Sequence, residues 1–212
     1  MIRRMRSSFP VPCLFMTAAL IFLNVAVFLV ELGGPQPLID LFALWPLAQS
    51  GEPGTAPFHA WQLLTYSVLH GSVAHVAFNM FGLYMFGRDV ERVLGRARFL
   101  VLYLASVLTG GLTQIAVLSA APPSVTPTIG ASAGVFGMLV GYAVLFPRRR
   151  VVLLFPPIPT PAWLFATGYA LVELLSGVSG DTSGIAHFAH LGGMLGAIVC
   201  LFFWNRDAKH AQ

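Results

Sequence analysis

The sequence predicts an all-α membrane protein, a bundle of six transmembrane helices. Three observations carry that expectation. Of the 212 residues, 57% are hydrophobic and 9% are charged, against about 25% charged in an ordinary soluble domain. Apolar stretches near or above about 18 residues recur along the chain, which is the length a bilayer-crossing helix requires. When six spans are drawn, all 12 Lys and Arg residues fall on one side of the membrane, as the positive-inside rule asks. A closed β-barrel would need short alternating segments, and none is visible. The net charge of +4 is divided among short loops, so nucleic acid is not an expected partner. Cys13 and Cys200 fall toward predicted cytoplasmic helix ends, where no disulfide is expected.

Residues 1–10 read as a basic cytoplasmic tail. The apolar run over 11–32 is too long for a secretory leader and no A-x-A site follows, so it is read as an uncleaved first span. Residues 33–59 form a long loop with five prolines and an apolar middle, with Trp45 expected at headgroup level. Span 2 is expected as one helix over 60–86, followed by the charged turn RDVERVLGRAR. Span 3 covers 99–120. An uncharged, proline-rich loop leads to span 4 over 131–146, and Arg148, Arg149 and Arg150 follow it. Residues 151–160 are a poor helix. Span 5 covers 161–176, the GVSGDTSG loop is short and flexible, and span 6 covers 185–204. The six-span domain is then 11–204, and 205–212 is a second cytoplasmic tail.

The opposite loops hold no Lys or Arg and carry Asp40, Glu52 and Asp181. Both termini are therefore expected in the cytoplasm, and spans 2, 4 and 6 enter from the outer face. Ser132 falls in the first turn of span 4. His190 lies about 8 Å into span 6 at about 1.5 Å per residue. On an unbroken span 2, His70 would lie about ten residues in and His75 about fifteen, at the same rise. Polar groups at membrane depth are costly, so their convergence in the outer half of the bilayer marks a candidate site.

Ser132 sits among Gly130, Ala131, Ala133 and Gly134, after a segment (PPSVTPT) that stops one helix and restarts another. Backbone N–H groups in a first turn have no intrahelical partner, and the helix dipole adds positive potential there. Both suit a nucleophile whose attack creates an oxyanion. Neutral imidazole is the natural base for a serine, so Ser132 and His190 form a candidate dyad. No acidic residue is expected to join them: Asp181 is in a loop and Glu173 is near the outer end of span 5. His75 and Asn79, four residues apart, share a helix face and can both donate to one point. With the Ser132 N–H they would form an oxyanion site. His70, about 140° from His75 on a continuous helix, is assigned a structural role, with a bond to the first loop. His187 is read as interfacial. Helix packing is the competing account of Ser132, because Gly130, Gly134, Gly137 and Gly141 would draw a neighbour close. A haem or metal protein using His70, His75, His187 and His190 also stays open.

The segments HGSVAHVAFN, GASAGVFG and AHLGG resemble, in order and span position, those of the rhomboid intramembrane serine proteases. Trp61, Glu91-Arg92 and the long first loop match as well, and the likeness covers the whole six-span core. The resemblance implies a six-transmembrane-helix rhomboid-like bundle that cleaves transmembrane segments of other proteins. It implies Ser132 as nucleophile, His190 as base, and His75, Asn79 and the Ser132 N–H as the oxyanion site. Gly130 matches the glycine whose backbone approaches the substrate. Phe136 stands where the family carries an aromatic, often Tyr, stacked on the catalytic histidine. Gln62 departs from an Arg found in many members. No cofactor and no metal are implied, and the expected partners are transmembrane substrates and the lipid bilayer. The expected location is a bacterial inner membrane. A non-catalytic relative that guides membrane clients is the alternative within the family, although such relatives typically lack the serine, the histidine or both.

Overall fold

The computed structural model describes residues 15–47, 55–120, 126–152, 157–180 and 185–210. Cys13, both tails and the loop positions Glu52, Asp181 and Ser183 lie outside or at the margins of these described residues. Helix α1 (Phe15–Glu31) turns Thr17, Asn24, Phe28 and Glu31 inward. Much of its apolar surface points out, with Phe22 75% exposed, as suits a lipid-facing helix. A carboxylate from far along the chain closes its N-terminus. Glu91 accepts from the Met16 N–H at 3.0 Å, the Thr17 N–H at 2.9 Å and the Thr17 hydroxyl at 2.7 Å.

After α1 comes a short helix, α2 (Gln36–Phe42). Leu44 then pairs with Thr128 across an isolated antiparallel bridge, tying the first loop to the segment that precedes Ser132. Trp45 is buried within the protein. It is 2% exposed, packs with Ala43 and Leu69, and donates its indole N–H to the Ile39 carbonyl at 3.1 Å. An indole satisfied in this way has no need of the interface. Trp61 is exposed and stacks on His59 at 4.2 Å between ring centroids. Gln62, fully buried, holds the loop in place. Its carbonyl accepts from the Trp45 N–H at 3.3 Å, and its amide donates to the Pro57 and Leu41 carbonyls at 3.2 and 3.4 Å.

The expected single helix over 60–86 is broken. Helix α3 (Gln62–Thr65) runs into a 3₁₀ turn (Tyr66–Val68), and the chain is extended at Leu69 and Ser72. Helix α4 (Val73–Gly82) starts there, with the Ser72 hydroxyl accepting from the His75 N–H at 3.1 Å. The Gly71-Ser72 pair supplies the break and the cap, and Ser is a favoured N-cap because its side chain replaces a missing acceptor. A π turn (Leu83–Gly87) carries α4 into α5 (Arg88–Ala120). Gly95 interrupts α5 at φ +76°, a backbone state that favours glycine. Phe99, just beyond it, packs back near Gly87, so the two arms form a hairpin. Asp89 on the first arm pairs with Arg92 at 2.7 Å and Arg149 at 2.8 Å.

Helix α6 (Ser132–Leu145) leads to a two-stranded antiparallel hairpin, β1 (Arg150–Val152) and β2 (Pro159–Pro161), in the stretch expected not to be helical. Helix α7 (Ala162–Ser179) follows at once, and α8 (His187–His210) comes last. Helices α5, α6 and α8 form the centre of the molecule, packed through small residues. A Cβ at Gly137 would overlap Ser106, one at Gly193 would overlap the Ala133 carbonyl, and one at Gly196 would overlap Thr109. Helix α7 lies at the periphery, with only Ala162, Ala166 and Glu173 buried. Among the described residues, three helical runs are long and apolar enough to cross a membrane: Val73–Ala120, Ala162–Ser179 and His187–Asn205. Phe15–Glu31 and Ser132–Leu145 are shorter apolar helices.

Candidate active site

Ser132 is the first residue of α6, and Ala131 before it takes the cap position without a side-chain bond. The glycines expected to compete for its role are used elsewhere. Gly134, Gly137 and Gly141 receive Tyr103, Ser106 and Leu102 of α5. Ser132 is two residues before Gly134, about 200° around the helix, and faces α8 instead. There its Oγ lies 2.7 Å from His190 Nε2, between a half-buried serine and a buried histidine. The Phe136 ring, one turn on, stacks on the His190 imidazole at 4.5 Å and 20°.

His75 and Asn79 come to the other side of the serine loop. Gly130 sits at φ +124°, and its N–H donates to the Tyr66 carbonyl at 2.9 Å. A Cβ at Gly130 would lie 2.7 Å from His75 Nε2 and 3.7 Å from Asn79 Nδ2. The glycine is thus required twice, by its dihedral angle and by the His75 ring beside it. Asn79 is buried, and its Nδ2 has no hydrogen-bond partner among the described residues. A buried amide donor without a partner is uncommon and asks for an explanation.

His70 is not on the helix of His75, because the chain breaks between them. Its ring meets the His75 ring edge-on at 5.0 Å, so the angular separation expected from a continuous helix does not hold. The expected side-chain bond to the first loop is also not found among the described residues. Both His70 ring nitrogens are buried without a partner, and it is the His70 backbone N–H that binds, donating to the Glu31 carboxylate at 3.1 Å.

One further expectation is corrected at α7. Glu173 does reach the serine–histidine pair: its Oε2 lies 2.9 Å from His190 Nδ1. His187 also packs against α7. It is 7% exposed, and its Nδ1 lies 2.7 Å from the same Glu173 oxygen. Ala162, Ala166 and Glu173 are spaced so that all three share one face of α7, within about 40°, and this is the face turned inward. A lone carboxylate in line with two alanines on an otherwise bulky apolar helix was the available signal. Glu173, His187 and His190 offer ligand atoms within 4.8 Å of one another, so they could hold a metal ion. Of the four histidines weighed for a haem or metal site, the His70 ring meets the His75 ring and the His187 ring meets the His190 ring.

A family model for the rhomboid domain matches residues 57–206, well over half of the chain. The chain belongs to the rhomboid family. Rhomboid protein 1, mitochondrial, of Saccharomyces cerevisiae is 31% identical over 152 residues, covering 68% of this chain and 42% of that protein. Rhomboid protease GluP of Bacillus subtilis is 32% identical over 139 residues, covering 64% of this chain and 24% of the relative. Rhomboid protease GlpG of Klebsiella pneumoniae is 27% identical over 201 residues, covering 92% of this chain and 64% of the relative. The rhomboid chain described here therefore spans less than half the length of the first two. Family membership and the apolar helices make it an integral membrane protein.

Proposed function

We propose that this rhomboid is an intramembrane serine endopeptidase that cleaves transmembrane segments of other membrane proteins through Ser132 and His190. The observation that carries the reading is the 2.7 Å contact between Ser132 Oγ and His190 Nε2 at the start of α6. In the proposed reaction His190 Nε2 takes the Ser132 proton as Oγ bonds to the scissile carbonyl carbon. The carbonyl oxygen becomes an oxyanion, received by His75, Asn79 and the Ser132 N–H. The unpaired, buried Asn79 amide supports this, since an oxyanion would supply its missing acceptor. Collapse breaks the C–N bond, and the proton on Nε2 passes to the leaving nitrogen. Water then releases the acyl group by the same steps. Gly130 and Phe136 would border the substrate chain and the histidine ring. A fluorophosphonate probe should label the wild-type serine and leave Ser132→Ala unlabelled. Equal labelling of both would overturn the reading.

The six-span count, the domain limits 11–204 and the cytoplasmic location of both termini are part of the same proposal. They are supported by the one-sided distribution of the 12 basic residues. A bacterial inner membrane is the proposed setting. In a background with Cys13→Ser and Cys200→Ser, a cysteine at Gln36 should react with an impermeant thiol reagent from outside. A cysteine at Ala97 should react only after the membrane is opened. The reverse pattern would refute the orientation.

A further inference from the structure

We propose that Glu173 is a positioning residue of the reaction, holding His190 in the tautomer that accepts the Ser132 proton. The inference rests on the Ser132–His190 reading above and extends it from two residues to a relay of three. Glu173 Oε2 lies 2.9 Å from His190 Nδ1, and His190 Nε2 lies 2.7 Å from Ser132 Oγ, so the three groups form one continuous line. An ionised carboxylate only accepts hydrogen bonds. Nδ1 must therefore carry the proton, which leaves the Nε2 lone pair aimed at the serine. When Nε2 takes the serine proton, the carboxylate stays ionised and pairs with the imidazolium. The proton then leaves Nε2 for the departing amine nitrogen, and Glu173 ends as it began.

The placement of the carboxylate argues for use rather than accident. A charge inside a membrane helix is costly unless it is paired and hydrogen-bonded. Helix α7 has only three buried residues, and the other two are alanines. Glu173 is held by two imidazoles, because His187 Nδ1 reaches the same oxygen at 2.7 Å. His187 thus gives the carboxylate a second anchor. All three residues are 7% exposed, so water does not replace these bonds.

The test is steady-state cleavage of a model transmembrane substrate by the purified full chain in detergent, for wild type, Glu173→Gln, Glu173→Ala and Glu173→Asp. Melting temperatures and ¹H–¹⁵N spectra of labelled histidines are taken on the same preparations. The expected result is a kcat lowered on the order of 10²–10⁴-fold in Glu173→Gln and Glu173→Ala, with KM nearly unchanged. Glu173→Asp should recover part of the loss. The downfield Nδ1 proton of His190 should be present in wild type and lost in Glu173→Gln. A wild-type kcat for folded Glu173→Gln, or a His190 signal that does not change, would overturn the positioning role and leave the serine–histidine reading intact. Full turnover by Ser132→Ala would overturn that underlying reading instead. One equivalent of zinc retained by wild type and lost in Glu173→Ala would assign the three side chains to a metal site and overturn the proposal.

Discussion

Ser132→Ala and His190→Ala are each expected to abolish cleavage of a transmembrane model substrate while leaving the protein folded. The drop should be on the order of 10⁴–10⁶-fold, as found when a serine nucleophile or its base is removed. Neither side chain carries the packing of the bundle. Gly134, Gly137 and Gly141 do that on the opposite side of α6, and Gly192, Gly193 and Gly196 do it on α8. Melting temperatures of both variants should therefore stay close to wild type. The double variant should be no slower than either single one, because the two residues act as a unit. Turnover within tenfold of wild type in either folded single variant would dismiss the pair as catalytic.

Removal of Asn79 should slow the reaction without weakening the fold. Its buried Nδ2 makes no hydrogen bond among the described residues, so it adds no bond to the resting fold. Asn79→Ala should therefore leave the melting temperature close to wild type. In the transition state the same amide meets a developing negative charge, and loss of one such donor lowers turnover on the order of 10²–10³-fold. His75→Ala should act in the same sense and more strongly, because its ring also borders Gly130. Apparent substrate affinity should change little in either variant, since the interaction strengthens only as the charge forms. A fall in melting temperature with normal turnover of the folded fraction would make both residues structural. The oxyanion would then be held by backbone N–H groups alone.

The parts of the site legible in the sequence are those written in local spacing. Ser132 stands in a run of small residues ahead of an apolar helix, and His75 and Asn79 stand one helical turn apart. Such features do not depend on how helices dock. The inward face of Glu173 is marked by its line with two alanines, but its partner depends on the register of α7 against α8, which the apolar pattern of a lipid-facing helix leaves undetermined. The same reason hid the burial of His187. The break at Gly71-Ser72 was present as a glycine and a capping serine, but the apolar run around it read as one span. The burial of Trp45 is not written in its residue type, which prefers an interface; it follows from a small core that the loop folds around Leu69. Helix boundaries elsewhere, as at Ser132–Leu145, follow from the loop residues that flank them.

The Glu91 carboxylate that closes α1 has a consequence for the order of assembly. The amides it binds lie 74 and 75 residues earlier in the chain. A ribosome delivers α1 long before it delivers Glu91, so α1 must wait at the membrane with its first turn uncapped. Its far end waits as well, because the Glu31 carboxylate meets the His70 backbone only 39 residues later. The earlier of these two helices to be synthesised is thus the later to be finished. The α4–α5 hairpin, closed by its own glycine turn, is the template on which α1 is completed.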